Sequence, residues 1–277
     1  MNNMVTPIAS LAPGVWQGIS NADYHGDRSA VSSSGLKHLL QSPAHFVAAM
    51  SSAHAETDAM RFGTALHAAL LEPDIFAGTY RVMPVMDKRT AAGKQAAEEF
   101  LARHQNHELI SQDWQDDIQA MVAAAKRHGA VVNMLASGAA EETYVWSDPE
   151  TGVLLKCRPD WENPDAIWDV KSCADGSPRG FAKACANYHY PLSAALYIEG
   201  VFRCTGETLP FRFIAMEKGA ARAVAVYEGT ASFLKLGRKQ MRHAINLLAK
   251  CKESGVWPGY QTGGEIETIE LPGWANF

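Results

Sequence analysis

The run Ala166-Ile167-Trp168-Asp169-Val170, with Lys171 directly after it, constrains this chain more than any other segment. It is short, largely apolar and apolar at positions that alternate to both faces of a strand, as a buried central strand should be. Around it the pattern is that of further strands. Glu142 to Trp146 reads as one, 148–152 as a hairpin turn and Val153 to Arg158 as a second strand. Pro210 to Glu217 and Arg222 to Glu228 read as two more, joined by a Lys-Gly-Ala turn.

Helical periodicity occupies the rest. Ser32-Ser33-Ser34 precedes Leu36, Leu39 and Leu40 as a hydroxyl-capped start, and Pro43 opens a second short helix through Ala49. Arg61 to Leu71 carries Phe62, Ala65, Leu66, Ala69 and Leu70 at helical spacing and stops at Pro73. Helices are expected over 91–104, from about Trp114 to Leu135, from Ser177 to about Val201, and from Ala231 to Lys252. In the second of these, Ile118, Met121, Val122, Ala125, Val132 and Leu135 share a side; in the last, Phe233, Leu236, Met241 and Leu248 are the expected core anchors. Residues 1–30 read as irregular or edge structure. No repeat or low-complexity linker divides the chain, so we expect one α/β domain over 1–277. It has a mostly helical part (1–137), a strand-rich core with a mixed central sheet flanked by helices (138–253) and a tail (254–277).

Composition narrows the class. With 47% hydrophobic and 20% charged residues among 277, the chain is globular and long enough to bury a substantial core. No apolar run approaches the roughly 18 residues of a membrane helix, and the N-terminus lacks a secretory pattern, so no membrane association is expected. Five cysteines, an odd number with no CxxC pair, fit reduced thiols and a cytoplasmic location better than disulfides, a zinc ribbon or an iron–sulfur cluster. No phosphate-loop motif announces ATP. The net charge of −5 hides an asymmetry: Lys171 to Ser254 holds 13 Lys and Arg against 6 Asp and Glu, which permits a local anionic partner.

Residues two apart in a strand share a face, so Asp169 and Lys171 can face one point, and Asp160, just past the end of the preceding strand, can reach it. Two carboxylates converging there make a hard oxygen site suited to Mg²⁺ or Mn²⁺. A lysine beside it can orient or deprotonate a water and offset charge building on a phosphate, the layout for metal-assisted phosphodiester hydrolysis.

Pro159-Asp160 followed by Asp169-Val170-Lys171 resembles the PD-(D/E)XK nuclease signature. The segments DYHGDRSAVSSSGLKHLLQSPAHF (23–46), RFGTALHAALLEP (61–73), AAEETYVWSDPETGVLLKCRPDW (139–161), AIWDVKSCADGSP (166–178) and YHYPLSAALYIEG (188–200) narrow the resemblance. They point to the RecE-like (exodeoxyribonuclease VIII) and lambda exonuclease-like alkaline exonucleases. It spans roughly residues 14–230. It implies a Mg²⁺-dependent exonuclease, with Mn²⁺ as substitute and two ions per site, digesting double-stranded DNA from its ends 5′ to 3′. The 3′ strand left behind would pass to a RecT- or beta-like single-strand annealing recombinase, and a ring of identical subunits, a trimer or a tetramer, would keep the enzyme on its substrate. An endonuclease or junction resolvase on the same core, or a DNA-binding module with a decayed site, are the competing expectations.

The resemblance also implies roles. Asp160, Asp169 and the Val170 carbonyl would hold metal, with Lys171 positioning the attacking water and His67 lying at the metal. Glu141 matches an acidic position that is either a metal or supporting carboxylate or an exposed strand-end glutamate. Tyr197 matches a tyrosine near the site, but the glutamine four residues before it in relatives is Ser193 here, whose hydroxyl has a shorter reach. Ser34, with Arg28 nearby, would receive the 5′-phosphate of a DNA end; a plain helix cap explains the serines equally well. Lys235, Arg238, Lys239 and Arg242 form a basic stripe on the last helix, either a solvated face or a phosphate contact.

Overall fold

The computed structural model describes residues 8, 11–52, 56–87, 89–261, 263–264 and 266–273. Expectations for the remaining N-terminal residues and for 274–277 lie outside the described residues. An edge strand, β1 (Gly14–Trp16), and α1 (Asn21–Gly26) lead into α2 (Ser33–Gln41), α3 (Pro43–Ser51), α4 (Asp58–Leu71) and α5 (Pro73–Thr79). Then come β2 (Tyr80–Val82), α6 (Ala91–Arg103), β3 (Glu108–Ile110), α7 (Gln112–Ala125) and α8 (Gly129–Leu135), with β2 and β3 paired in parallel. The strand-rich part runs β4 (Ala139–Ala140), β5 (Thr143–Ser147), β6 (Leu154–Cys157), β7 (Trp161–Asn163) and β8 (Ala166–Cys173). After α9 (Pro178–Asn187) and α10 (Tyr190–Thr205) come β9 (Phe211–Glu217), β10 (Val224–Glu228) and α11 (Ala231–Ser254).

The central sheet has the order β10-β9-β8-β7-β4, with β8 and β9 parallel and the other pairs antiparallel. A second sheet, β1-β5-β6, is antiparallel. Strand β8 has the two-sided burial its sequence calls for. Ile167 packs into one core with Phe181, Leu192, Phe211, Phe213 and Met241, beneath α9, α10 and α11. Ala166, Trp168 and Val170 point into the other, with Phe62, Leu66, Ile118 and Met121 of α4 and α7. Burying such a side chain contributes roughly 1.5–3 kcal/mol, so the two layers hold β8 firmly where its charged end begins. Helix α11 reaches the sheet by lying close on α10: a Cβ on Gly237 would stand 1.9 Å from the Pro191 carbonyl oxygen.

Several boundaries differ from the sequence expectation. The helix expected over 114–135 is two, because the chain leaves the helical path at Lys126-Arg127-His128 and restarts at Gly129. The restart turns Val131 and Met134 into the core and leaves Val132 49% exposed. The helix expected from Ser177 breaks at His189, which adopts a left-handed conformation (φ 51°) ahead of Pro191, a residue with no N–H to give a continuing helix. Leu236 is not a core anchor; it is 47% exposed, and buried Gly237 takes the contact position. Strand β7 was not expected. It is three residues long and turns into β8 through Asn163, whose Oδ1 accepts from the amides of Asp165 and Ala166. All five cysteines are free, and among the described residues no helix is long and apolar enough to cross a membrane.

The turn after β5 is tied to α11. The buried Asp148 carboxylate accepts from the Thr151 amide and hydroxyl and from Arg242 Nη1 at 2.9 Å. Burial works to raise its pKa, but the Thr151 and Arg242 hydrogen bonds outweigh it and hold the group below its ordinary value. A depressed carboxylate contributes stability above its unfolded pKa of about 4 and loses it as pH falls through the lower folded value. Asp148→Asn is therefore expected to cost about 2 kcal/mol at pH 7. In thermal melts its deficit relative to the unsubstituted protein should close in strong acid; a deficit that does not change with pH would contradict this account.

Candidate active site

The charged end of β8 faces both layers. Asp169 and Lys171, in the same alternation as Ile167, lie on the α9–α10 side and pair with each other, Lys171 Nζ standing 2.6 Å from Asp169 Oδ2. Burial opposes the charge on Lys171, but the Asp169 and Asp160 carboxylates prevail and raise its pKa. In the ion-free protein Lys171 is therefore held as a cation beside Asp169.

Asp160 sits between β6 and β7 and is buried. Its Oδ2 accepts the Val170 amide at 2.6 Å, which locks the loop onto β8. Its Oδ1 faces His67 Nδ1 at 3.4 Å. Helix α4 presents His67 beneath the sheet, and because Nε2 stands 2.8 Å from the Val170 carbonyl, a group that can only accept, Nε2 carries the proton. Burial opposes a charge on the ring, but the Asp160 carboxylate facing Nδ1 outweighs it and raises the His67 pKa; a bound cation would take the Nδ1 lone pair in place of that proton. Glu141, between β4 and β5, completes the group: one ligand atom each from His67, Glu141 and Asp160 lie within 4.8 Å of one another. Glu141 has φ 56°, a left-handed backbone uncommon for a residue with a side chain, and its amide donates to the Asp160 carbonyl at 3.4 Å.

This donor set fits a divalent cation. Two carboxylates and an imidazole are hard or borderline ligands, while the Val170 carbonyl is engaged by His67 Nε2 and Lys171 Nζ. The site is short of positive charge: burial and then the Asp160 carboxylate push Glu141 up to about 7. Asp169 is not part of the three-residue group, and its carboxylate is matched by Lys171.

The group opens on a cavity of about 290 Å³ lined by Tyr24, Arg158 and Tyr197 as well as by His67, Glu141 and Asp160. Arg158 is buried and fully engaged, donating to the Thr143 hydroxyl, the Asn21 side chain and the Ile19 carbonyl. It also stands 3.9 Å from Glu141 and 4.2 Å from the centre of the Tyr24 ring. Lys156 donates to the Tyr24 and Asp27 carbonyls and lies 4.6 Å from the same ring. Lys156 on β6 and Arg158 just past its end thus clamp 19–27 onto the sheet, and Tyr24 becomes a wall common to this cavity and a second one.

The second cavity, of about 320 Å³, is lined by Arg28, Ser32, Ser34 and Lys156. Ser32 stands at the N-cap of α2, yet its side chain makes no capping hydrogen bond, so the plain-cap reading of the serines is not what is observed. Ser34 is exposed, and Arg28 Nη2 donates to the Ser52 carbonyl at 2.8 Å.

The other expected residues separate. Tyr197 lines this cavity, whereas Ser193 is buried within α10 and is not among the residues that line it. Lys235, Arg238 and Lys239 are exposed on α11, whereas Arg242 is committed to Asp148 and stands 3.6 Å from Glu150. Sequence reasoning missed Tyr24 and Arg158, which line the cavity. Arg158 had a signal, since it precedes Asp160 by two in Arg158-Pro159-Asp160.

A mixed sheet with helices on both faces, an acidic pair at Asp160 and Asp169 and a lysine two residues on define the PD-(D/E)XK nuclease superfamily. The chain belongs to the family described as a PDDEXK-like domain of unknown function (DUF3799), whose model matches residues 32–272. It is similar in fold to a crystal structure of a candidate exonuclease from Eubacterium rectale. The TM-score is 0.62 at 13% identity, over 93% of this chain and 97% of that one. The sequence matches no curated protein.

Proposed function

We propose that the protein is a divalent-metal-dependent exodeoxyribonuclease that hydrolyses double-stranded DNA from its ends. The observation that carries the reading is the convergence of His67, Glu141 and Asp160 on one point beside the Asp169–Lys171 pair. The name given to the Eubacterium rectale protein agrees with it. Asp160, Glu141 and His67 Nδ1 would hold Mg²⁺ or Mn²⁺, with Asp169 able to join them for a second ion, while the Val170 carbonyl fixes the imidazole through Nε2. Such an ion supplies a nucleophilic hydroxide at neutral pH and withdraws charge from the phosphate.

The chain's own groups do the rest. Lys171 keeps its proton and offsets charge growing on the phosphate oxygens. His67 is held in one tautomer by Val170, and Arg158 restrains Glu141 and Tyr24 so that the cavity wall does not shift. The second cavity, with Arg28 and Ser34 at the N-terminus of α2, is suited to a terminal 5′-phosphate, because free helix amides and a guanidinium both favour an anion. We extend the proposal to 5′-to-3′ polarity, delivery of the 3′ strand to an annealing recombinase, and a ring of identical subunits; Lys235, Arg238 and Lys239 would touch the DNA backbone.

End dependence is tested by incubating a linear duplex and a covalently closed circle of the same sequence with Mg²⁺, one strand of the linear DNA being labelled at its 5′ or its 3′ terminus. The linear DNA should be consumed with early loss of the 5′ label while circles survive. Nicked or linearised circles would assign the site to an endonuclease.

A further inference from the structure

One half-buried cation near the site takes no part in the account so far. Lys37, on α2, has its Nζ 5.4 Å from the centre of the Tyr190 ring. Lys171 Nζ lies 5.6 Å from the same ring. A tyrosine face attracts one ammonium; two on one ring repel each other. Among the described residues the carboxylate that acts on Lys37 is Asp169, which is already paired with Lys171 at 2.6 Å. Among the described residues Lys37 has no carboxylate within 4.0 Å, and His189, at the left-handed break before α10, whose pKa is lowered by burial and then by Lys37, offers it no negative charge. Burial and then the like charge of Lys171 pull the Lys37 pKa down to about 8. Such a cluster is short of one anion.

Ser34 stands one helical turn before Lys37 on α2, so the helix that lines the second cavity also carries this cation towards β8. We propose that Lys37, seated on Tyr190, binds a backbone phosphate of the DNA strand next to the phosphate held at Lys171. Tyr190 is then a positioning residue that holds both ammonium groups on one side of the strand. The inference rests on the nuclease reading and adds a contact to it.

The test compares the unsubstituted protein with Lys37→Met, which keeps length and apolar stem, and Lys37→Arg, which restores the charge. Binding of a 5′-phosphorylated duplex is read by fluorescence anisotropy in EDTA across a salt series, beside steady-state cleavage in Mg²⁺. Lys37→Met should bind about tenfold more weakly, with a log K against log salt slope shallower by about 0.9, and Lys37→Arg should restore the slope. Partial unfolding of a variant lowers its active fraction without changing that slope, so the slope decides even if Lys37→Met is less stable. An unsubstituted protein that neither binds nor cleaves DNA overturns the nuclease reading itself. One that binds and cleaves, with Lys37→Met equal to it in affinity and slope, overturns this inference alone.

Discussion

Asp160→Asn is expected to lower hydrolysis of linear duplex DNA by roughly 10³-fold while the protein stays folded. The substitution is chosen for what it leaves in place. An asparagine oxygen can still accept the Val170 amide that now reaches Asp160 Oδ2 at 2.6 Å, so the loop between β6 and β7 keeps its anchor on β8. What disappears is the charge. Without it His67 and Glu141 no longer form a two-carboxylate site, and calorimetric titration with Mn²⁺ should show a large loss of affinity. In the ion-free protein the loss of attraction to His67 and Lys171 is offset by relief of repulsion with Glu141, whose pKa burial and then Asp160 raise to about 7. The melting temperature in EDTA should therefore stay within about 4 °C of the unsubstituted protein, a shift worth about 1 kcal/mol in a domain of this size. Full activity with unaltered Mn²⁺ binding would remove Asp160 from the metal group.

Lys171→Ala has an effect of the same order on a different quantity. Its ammonium is held protonated beside Asp169 and, on the proposed function, would stand next to charge that grows during hydrolysis. Such a group acts on the transition state more than on bound DNA, so kcat should fall roughly 10³-fold while the Kd for duplex in EDTA changes far less. Lys171→Arg should not rescue it, since a planar guanidinium does not present the compact charge of an ammonium. Lys37→Met is expected to do the reverse and move binding more than kcat. A Lys171→Ala variant that loses only affinity would mean that Lys171 holds DNA rather than assists hydrolysis.

Legibility in the sequence followed the range of the interactions. The two-sided burial of β8 could be read directly, because Ile167 and its neighbours Ala166, Trp168 and Val170 alternate into two separate cores. The Asp169–Lys171 pair followed from the same alternation. Strand β7 escaped notice because three residues carry no period, although Asn163-Pro164-Asp165 marked the turn after it. The break at His189 depends on a left-handed residue of a type that gives no such warning, with only Pro191 as a trace. Arg242 looked like a member of a basic stripe because its partner, Asp148, lies 94 residues away. Lys37 and Tyr190 meet only through the packing of α2 against α10, so neither residue's own neighbourhood in the sequence reveals the contact.

The central claim is that this chain cuts DNA with a divalent ion held by His67, Glu141 and Asp160. The most direct measurement is release of acid-soluble nucleotides from a linear, 5′-phosphorylated duplex, run in parallel with Mg²⁺, with Mn²⁺ and with EDTA. The account predicts steady release with either ion and none in EDTA. Release that continues in EDTA, or intact duplex in the presence of both ions, would contradict it.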